Sequence, residues 1–353
     1  MLETCEGRAE GIAIPGAEER SPRYWATVLA PYREPKLGRS LAELVATALP
    51  FFLLWAAAWL SLSWSIGLSL LLSIPAALFL VRLFMIQHDC GHGSFFRRRP
   101  ANDWLGRCIA VLTLTPYAEW RQAHNVHHAS SGHLDKRGIG DIDTLTVAEF
   151  AALPRWRRVA YRISRHPAVM FGLAPAYLFL LKHRLPSRPT RSNREGWLST
   201  MSANAVIAAV VTVMVLLLGW RDFLLVQVPV TLVASTIGVW LFYVQHQFEH
   251  TWWERGSGWS VHAGALHGSS HYDLPQPLRW LTANIGIHHV HHLSSRIPSY
   301  RLGEVLRDHP ELRRIGRLTI AQSFGCLKLA LWDENARRLV SFREAAGGMA
   351  APA

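Results

Sequence analysis

Three short clusters of histidine are the residues of this 353-residue chain whose types and spacing can do chemistry. The clusters read His88-Asp-Cys-Gly-His92, His124-Asn-Val-His127-His128 and His288-His289-Val-His291-His292. With 18 histidines in the chain, an HxxHH triple is expected by chance at about one position in ten thousand. Two such triples and one HxxxH therefore indicate a shared chemical role.

The spacing within each cluster suits metal binding. Residues at i and i+4, or at i, i+3 and i+4, project from one helix face with Cβ atoms about 5–6 Å apart. Imidazole binds zinc, copper, iron and nickel, so the ligand type alone does not choose the metal. Eight clustered histidines exceed the four ligands of one tetrahedral zinc. We therefore predict two metal ions, each with several nitrogen ligands and an open coordination position. Two redox-active metals beside a lipid phase would carry out oxygen chemistry on an apolar substrate.

Two residues inside the clusters are not predicted to be ligands. Cys90 stands at i+2 from His88 and points to the opposite helix face. His289 faces about 100° away from His288 on a helix, so we interpret it as a neighbour of the site, and the sequence leaves open whether it also binds metal.

Long uncharged runs predict the elements that position these clusters. Residues 44–81 contain no Asp, Glu, Lys or Arg, which corresponds to roughly 57 Å of helix, or about twice the hydrocarbon thickness of a bilayer. The polar stretch 61–67 predicts a turn within this run, and Arg221-Asp222 divides a second uncharged run. The predicted spans are residues 44–62, 66–86, 197–219 and 223–246. The fold class is thus an all-α integral membrane protein with four transmembrane helices in two hairpins, and a cytosolic helical cap holding a di-metal histidine cluster.

The distribution of charge predicts the topology. Of the 37 Lys and Arg residues, the two predicted hairpin turns contain only Arg221, so both termini and the segment 87–195 are predicted to be cytoplasmic. All three clusters then lie on one side of the membrane. The net charge of +12 is explained by this rule and by anionic lipid headgroups, and no module for nucleic-acid binding is present.

The organisation predicted from these patterns has three parts. Residues 1–40 form a cytosolic N-terminal arm without a cleaved signal peptide, residues 41–311 form the membrane domain, and residues 312–353 form a cytosolic C-terminal tail. The shorter apolar runs 104–117 and 168–181 are too brief to cross and are expected at the interface. We expect a multi-pass protein of a bacterial inner (plasma) membrane.

Four segments carry a resemblance to a known family: residues 88–96, 124–129, 140–147 and 284–298. They resemble the histidine boxes of membrane fatty acid desaturases, most closely the acyl-lipid branch that includes Δ12/ω6- and Δ5-type enzymes. The resemblance covers about residues 44–311. It implies two iron ions, O2 as co-substrate, and insertion of a cis double bond into an acyl chain. The metal ligands that it implies are His88 and His92 in the first box, His124, His127 and His128 in the second, and His288, His291 and His292 in the third.

The resemblance also implies one further ligand, in the segment 245–250. We favour His246, and the sequence leaves open whether His250 binds as well. Acids that could orient ligating imidazoles are Asp89, Glu119, Asp141, Asp143, Glu249 and Asp273. Arg82 stands inside an apolar span, where it is either functional or reaches to the interface. No catalytic residue beyond the metal centre and no site for an organic cofactor is predicted.

The predicted partners follow from the same resemblance. The substrate is an acyl-lipid or a fatty acyl thioester, drawn from the surrounding membrane lipids. Because the chain has no nucleotide-binding fingerprint and no haem domain, electrons are expected from a separate ferredoxin or cytochrome. A related histidine-box hydroxylase, ketolase or acetylenase is the alternative within this chemistry. A metal-binding membrane transporter is disfavoured, because the spans contain essentially no histidine or acid.

Overall fold

The computed structural model describes residues 20–187 and 190–350, and side chains are described up to residue 347. Part of the predicted arm (residues 1–19) and the end of the predicted tail (residues 351–353) therefore lie outside the described residues. The helices are α1 (Pro22–Val28), α2 (Leu37–Ser61), α3 (Ile66–His92), α4 (Arg99–Leu112), α5 (Tyr117–Ser130), α6 (Val147–Ala152), α7 (Arg155–Ser164), α8 (Ala174–Ala176), α9 (Arg194–Leu218), α10 (Trp220–His246), α11 (Val261–His267), α12 (Leu278–Leu281), α13 (His288–Leu293), α14 (Ser299–Asp308), α15 (Ile320–Ser323) and α16 (Phe342–Ala350). The strands are β1 (Leu145–Thr146), β2 (His271–Tyr272), β3 (Arg317–Leu318), β4 (Leu331–Asp333) and β5 (Arg338–Val340).

Four of these helices are long and apolar enough to cross a membrane: α2, α3, α9 and α10. Together with the mostly helical content, they confirm the predicted all-α fold class with four spans. Each helix extends beyond its predicted span at one end, and α2 and α9 end one residue before their predicted spans at the other end. In particular, α3 continues to His92 and so contains the whole first histidine cluster.

The two hairpins have different turns. Residues 62–65 connect α2 to α3, and Ser65 caps α3 by accepting a hydrogen bond at Oγ from the backbone N–H of Leu68. The second turn is a single residue, Gly219, with φ of 82°, a conformation that glycine adopts far more readily than other residues. Our prediction that Arg221-Asp222 separates the two spans was therefore wrong, because both residues lie in the first turn of α10.

Helix α3 is the centre of the bundle. It packs against α2, α4 and α10, and its inner face buries small and branched residues such as Ala77 and Val81 in the main hydrophobic core. Helix α9 contacts α10, α4 and α5, but its most apolar stretch has no buried residue. A helix of this length whose apolar stretch is not buried is suited to lipid contact.

Neither of the shorter apolar runs forms a helix long enough to cross a membrane. Helix α4 has 14 residues, and two π-helical turns (Val169–Leu173 and Tyr177–Leu181) flank α8. The second run lies beside α10, where Phe171 contacts Trp240 and accepts a hydrogen bond at its carbonyl from Thr236 Oγ1 at 2.8 Å.

A cap of short helices, α5, α11, α13 and α14, gathers near the C-terminal ends of α3 and α10. The parallel pair β2–β3 lies beside it, and β4 pairs in parallel with β1 and antiparallel with β5. The described parts of the predicted N-terminal arm and C-terminal tail pack onto the cap and the helix bundle. Trp25 of α1 is buried against α13 and α14, and Trp332 of β4 is buried in the main core. The domain limits at residues 40 and 311 remain a prediction.

Candidate metal centre

Nine histidines from four helices converge where the cap meets α3 and α10. They are His88 and His92 on α3, His124, His127 and His128 on α5, His246 on α10, and His288, His291 and His292 on α13. The last turn of α3 ends at Gly93, which has φ of 68°. Glycine in this left-handed conformation stops the helix directly after the first cluster.

The nine rings form two groups, and within each group one nitrogen per ring lies within 4.8 Å of all the others. The five-histidine group contains His88, His92, His124, His128 and His291. The four-histidine group contains His127, His246, His288 and His292. In each HxxHH motif the i and i+4 residues therefore enter one group, while the i+3 residue enters the other.

In the five-histidine group, Nε2 atoms approach one another closely. His124 Nε2 is 3.1 Å from His92 Nε2 and 3.0 Å from His128 Nε2. His128 Nε2 is also 3.2 Å from His291 Nε2. The nitrogens of His124 and His128 thus each have two close nitrogen neighbours.

The four-histidine group repeats this arrangement. His246 Nε2 is 3.2 Å from His127 Nε2 and 3.0 Å from His288 Nε2. His288 Nε2 is in turn 3.1 Å from His292 Nε2. The two groups are adjacent, since the rings of His128 and His292 stack with centroids 4.1 Å apart.

These contacts fit bound cations better than hydrogen bonds. A neutral imidazole nitrogen carries either one hydrogen or one lone pair, so it can satisfy one close neighbour and not two. Nitrogens bound about 2.0–2.1 Å from one ion can lie about 3.0–3.2 Å apart, and each then directs its lone pair at the ion. The donor set of each group therefore fits one transition-metal ion.

Burial keeps the nitrogens of five ligand rings of the cap in the neutral form. Removal from water, followed by the effect of neighbouring imidazoles, holds the pKa of each of these five rings well below the usual histidine value. The rings concerned are His124, His128, His288, His291 and His292. Their lone pairs are consequently free for a metal at neutral pH.

Of the six acids considered from the sequence, Asp141 alone hydrogen-bonds to a grouped ring through its side chain in the described part of the chain. His127 Nδ1–H donates to Asp141 Oδ1 at 2.5 Å, and both side chains are buried. Such a contact fixes the tautomer of the ring, so that Nε2 carries the lone pair. Asp141 follows Gly140, whose φ of 69° brings the backbone against the Ala123 carbonyl of α5.

The other five acids have different surroundings. Asp89 Oδ1 lies 3.6 Å from His88 Nδ1, and Asp89 Oδ2 accepts a hydrogen bond at 2.8 Å from the Ser299 N–H at the start of α14. The side chains of the remaining four acids form no hydrogen bond with a ring of either group among the described residues. Glu119 accepts hydrogen bonds from Ser187 and Thr190, and Asp143 is exposed. Glu249 forms an ion pair with Arg338, and Asp273 forms ion pairs with Arg279 and Arg317.

Two histidines that the sequence left unresolved lie outside both groups. His250 is exposed and follows the end of α10 at His246, so the helical i+4 relation to His246 does not exist. His289 is buried, but its Nε2–H donates to the Leu312 carbonyl at 2.8 Å. His289 thus ties α13 to the segment that follows α14.

Sequence reasoning missed two aromatic side chains at the site. The Trp120 ring stacks on His124 with centroids 4.7 Å apart. The centroid of the Phe242 ring lies 4.9 Å from that of His246 and 5.2 Å from that of His127. Each aromatic residue stands four positions before a histidine of its own helix, and this i, i+4 spacing is the signal that could have found both.

Arg82 has a partner inside the span and does not reach out to water. The guanidinium pairs with Glu43 of α2, donates from Nε to Thr47 Oγ1 at 3.0 Å, and lies 4.0 Å from the centroid of the Trp280 ring. The pair is buried on both sides. It joins the two helices of the first hairpin.

Comparisons with known proteins identify relatives of this chain. A family model described as "Fatty acid desaturase" matches residues 68–323. A protein of Bacillus subtilis (strain 168) named "Fatty acid desaturase" is 45% identical over 315 residues, which cover 89% of each chain. Two proteins of Synechocystis sp. are each 28% identical. The "sn-1 acyl-lipid omega-3 desaturase (ferredoxin)" match covers 62% of this chain and 61% of the relative, and the "sn-1 oleoyl-lipid 12-desaturase" match covers 62% of both.

Proposed function

Because this chain belongs to the fatty acid desaturase family, an oxidoreductase family, we propose that it uses O2 to introduce a cis double bond into the acyl chain of a membrane lipid. The observation that carries this proposal is the pair of adjacent histidine groups at the ends of two membrane-spanning helices. A ligand set at that position brings redox-active metals next to the lipid phase.

We assign one iron ion to each histidine group. The five-histidine group supplies five nitrogens and the four-histidine group four, and no carboxylate of the described residues takes part in either set. When bound, the two irons supply the oxidising power, drawn from O2 and two electrons, that breaks two unactivated C–H bonds.

The protein itself holds and orients the ligands. Helices α5 and α13 each contribute to both groups, so their packing sets the separation of the two ions. Asp141 keeps the proton of His127 on Nδ1, and the rings of Trp120 and Phe242 cover ligand rings with apolar surface. Since the reaction removes hydrogens from a hydrocarbon, no acid–base pair is required of the chain.

The electron donor is proposed to be a ferredoxin- or cytochrome-type protein. Two relatives, from Synechocystis sp. and Nostoc sp., carry "(ferredoxin)" in their names. An acidic donor would be attracted to the net charge of +12 on this chain. We propose a bacterial inner membrane as the location, with both termini and the metal centre on the cytoplasmic side. The positive-inside distribution of Lys and Arg supports this orientation.

Expression in a host without polyunsaturated lipids tests the activity. Gas chromatography with mass spectrometry should find fatty acids lighter by two hydrogens, whereas fatty acids heavier by one oxygen would establish hydroxylation in place of desaturation. His128→Ala should abolish the product without loss of protein from the membrane, because His128 belongs to one group and stacks on the other. Metal analysis of the purified protein should find about two irons per chain, one for each group. A single zinc, or unchanged activity of the variant, would contradict the assignment.

A further inference from the structure

Helix α7 has an apolar face that the described part of the chain leaves exposed. Trp156, Val159 and Ile163 recur at a helical spacing of three and four residues, and their exposed fractions are 67%, 55% and 56%. The other side of α7 packs on the protein, where Tyr161 is buried and its hydroxyl donates to the Ala330 carbonyl at 2.7 Å. A helix with two such sides requires a second apolar partner.

The charge of α7 is entirely positive. Its basic residues are Arg155, Arg157, Arg158 and Arg162. The sequence contains no Asp or Glu between Glu149 and Glu195. Among the described residues, none of the four arginines belongs to an ion pair, whereas Glu149 is engaged by Arg137 and Arg255. The helix therefore has uncompensated positive charge beside its apolar face.

Contacts with α10 place the end of α7 at the depth of lipid headgroups. The Arg165 guanidinium, directly after α7, lies 5.7 Å from the centroid of the Tyr243 ring and donates to Gln247 Oε1 at 2.8 Å. Tyr243 stands in the last turn of α10. Phe171 contacts Trp240, about one turn farther into the span, with ring centroids 5.2 Å apart. Because Tyr and Trp mark the ends of membrane spans, the chain enters the acyl region between Arg165 and Phe171.

A hollow of about 300 Å³ lies where α7 meets the following apolar run. It is lined by Val159, Arg162, Ile163, His166 and Val169. The apolar face of α7 is therefore continuous with the run that lies beside α10. The hollow also has polar groups that suit an anion. His166 Nδ1 accepts a hydrogen bond at 3.3 Å from the Ala168 N–H, which leaves Nε2–H of the neutral ring as a donor next to the Arg162 guanidinium.

We propose that α7 is an interfacial helix that inserts its apolar face into the leaflet next to the metal centre and binds an anionic phospholipid in this hollow. The phosphate lies between Arg162 and His166, and an acyl chain lies against Val159 and Ile163. A zwitterionic lipid would bind less tightly, because its own positive charge opposes that of the helix.

An acidic protein would also satisfy the arginines of α7. The lipid is favoured because the same face continues into the apolar run, and because the end of α7 is level with the last turn of α10. Insertion of an amphipathic basic helix beside a membrane-spanning bundle buries both its apolar and its charged side chains against matching groups. The proposal does not depend on the reaction at the metal centre.

Trp156 serves as the reporter in the full-length protein. Wild type and Trp156→Phe are reconstituted in nanodiscs with one chain in each, in phosphatidylcholine bilayers that contain increasing fractions of phosphatidylglycerol brominated on its acyl chains. A parallel series contains brominated phosphatidylcholine. The emission of the wild type minus that of Trp156→Phe reports on Trp156 alone. Bromine quenches only a tryptophan that it contacts, so quenching requires Trp156 to lie among acyl chains.

Both brominated lipids should quench Trp156, and phosphatidylglycerol should reach half of its effect at a mole fraction at least about fivefold lower, which is the effect of one arginine near an anionic lipid. Arg162→Gln should reduce this preference by about fivefold. Arg155→Gln, two turns earlier on the same side of α7, should reduce it as well. Arg314→Gln is the matched control, since Arg314 is exposed, belongs to no ion pair of the described residues and lies outside α7. It should keep the wild-type preference.

Each outcome decides the proposal. If neither brominated lipid quenched Trp156, α7 would not lie in the leaflet, and a protein partner would be its remaining occupant. Equal quenching by the two lipids would refute the anionic site, and so would a return of the emission on addition of soluble glycerol phosphate. Arg162 also lies 5.0 Å from the centroid of the Phe342 ring. If Arg162→Gln fails to accumulate, the exposed Arg155 decides, and a wild-type preference in Arg155→Gln overturns the proposal.

Discussion

Replacing Asp141 by asparagine should release one of the two metal ions selectively. Asp141 is the acid that accepts a hydrogen bond from a ligand ring, His127 Nδ1, and both side chains are less than a tenth exposed. The carboxamide oxygen that Asp141→Asn introduces could still accept this bond, but without the negative charge. A hydrogen bond to a charged group contributes about 1.5–3 kcal/mol, and loss of such a partner to a ligating histidine typically weakens metal binding about 10- to 100-fold.

The weakening should be confined to the four-histidine group. His127 belongs to that group, whereas Asp141 makes its hydrogen bond to no ring of the five-histidine group among the described residues. Iron-loaded wild-type and Asp141→Asn proteins are dialysed against increasing concentrations of a chelator, and the iron that remains is measured by mass spectrometry. The variant should pass through a plateau of about one iron per chain at a chelator concentration about 10- to 100-fold below that needed to strip the wild type.

Asp143→Asn is the matched control. The substitution removes the same negative charge two residues away from Asp141, but Asp143 is exposed. Tyr161 and Arg165 donate hydrogen bonds to the backbone carbonyl of Asp143, which the substitution leaves unchanged. The control should retain iron like the wild type. If Asp141→Asn also released iron like the wild type, Asp141 would have no part in metal binding. If it released both ions together without a plateau, the division into two groups would be refuted.

Two further substitutions test the packing that positions the first histidine cluster. Glu43→Leu leaves the buried Arg82 guanidinium without its carboxylate and should destabilise the protein by about 3–5 kcal/mol, whereas adding Arg82→Met should restore most of the lost stability. Thermal unfolding in detergent measures the stability of both variants. A double variant as unstable as Glu43→Leu would contradict a purely structural role for the pair. Gly106→Ala drives a β-carbon into the ring of Tyr117, whose hydroxyl donates to the Cys90 carbonyl of α3 at 2.8 Å. This overpacking should cost about 1–3 kcal/mol and lower the iron content, and a variant with wild-type stability and iron would refute the role of that contact.

Local patterns were sufficient for the spans and for the candidate ligands. An uncharged run much longer than a bilayer is thick has to turn, and the run of residues 44–81 does so within the predicted stretch 61–67. In the second hairpin, the backbone conformation of one residue determined the position of the turn. Gly219 adopts a conformation that favours glycine, so the chain reverses there while Arg221-Asp222 continues into a helix.

For the second and third clusters, the sequence predicts that the histidines share a helix face, but it does not predict which histidines belong to the same group. Helical periodicity places residues i, i+3 and i+4 on one side of a helix. In the structure, however, His127 belongs to the four-histidine group, and His124 and His128 belong to the five-histidine group. The division depends on which rings arrive from α3, α10 and α13. Similarly, six acids were equally plausible as partners of the ligands, and only the fold of the segment around Gly140 brings Asp141 against His127.

The sequence by itself determined that this chain has four apolar helices, that its histidines fall on helix faces at metal-binding spacing, and that its boxes resemble those of fatty acid desaturases. These properties are local, because hydropathy and periodicity act over a few turns of one helix. Tertiary structure alone decided the composition of the two histidine groups and placed His250, beyond the end of α10, outside both of them. Each of these depends on atoms as far apart in the chain as His88 and His291, and only the packing of α3, α5, α10 and α13 sets the distances between them.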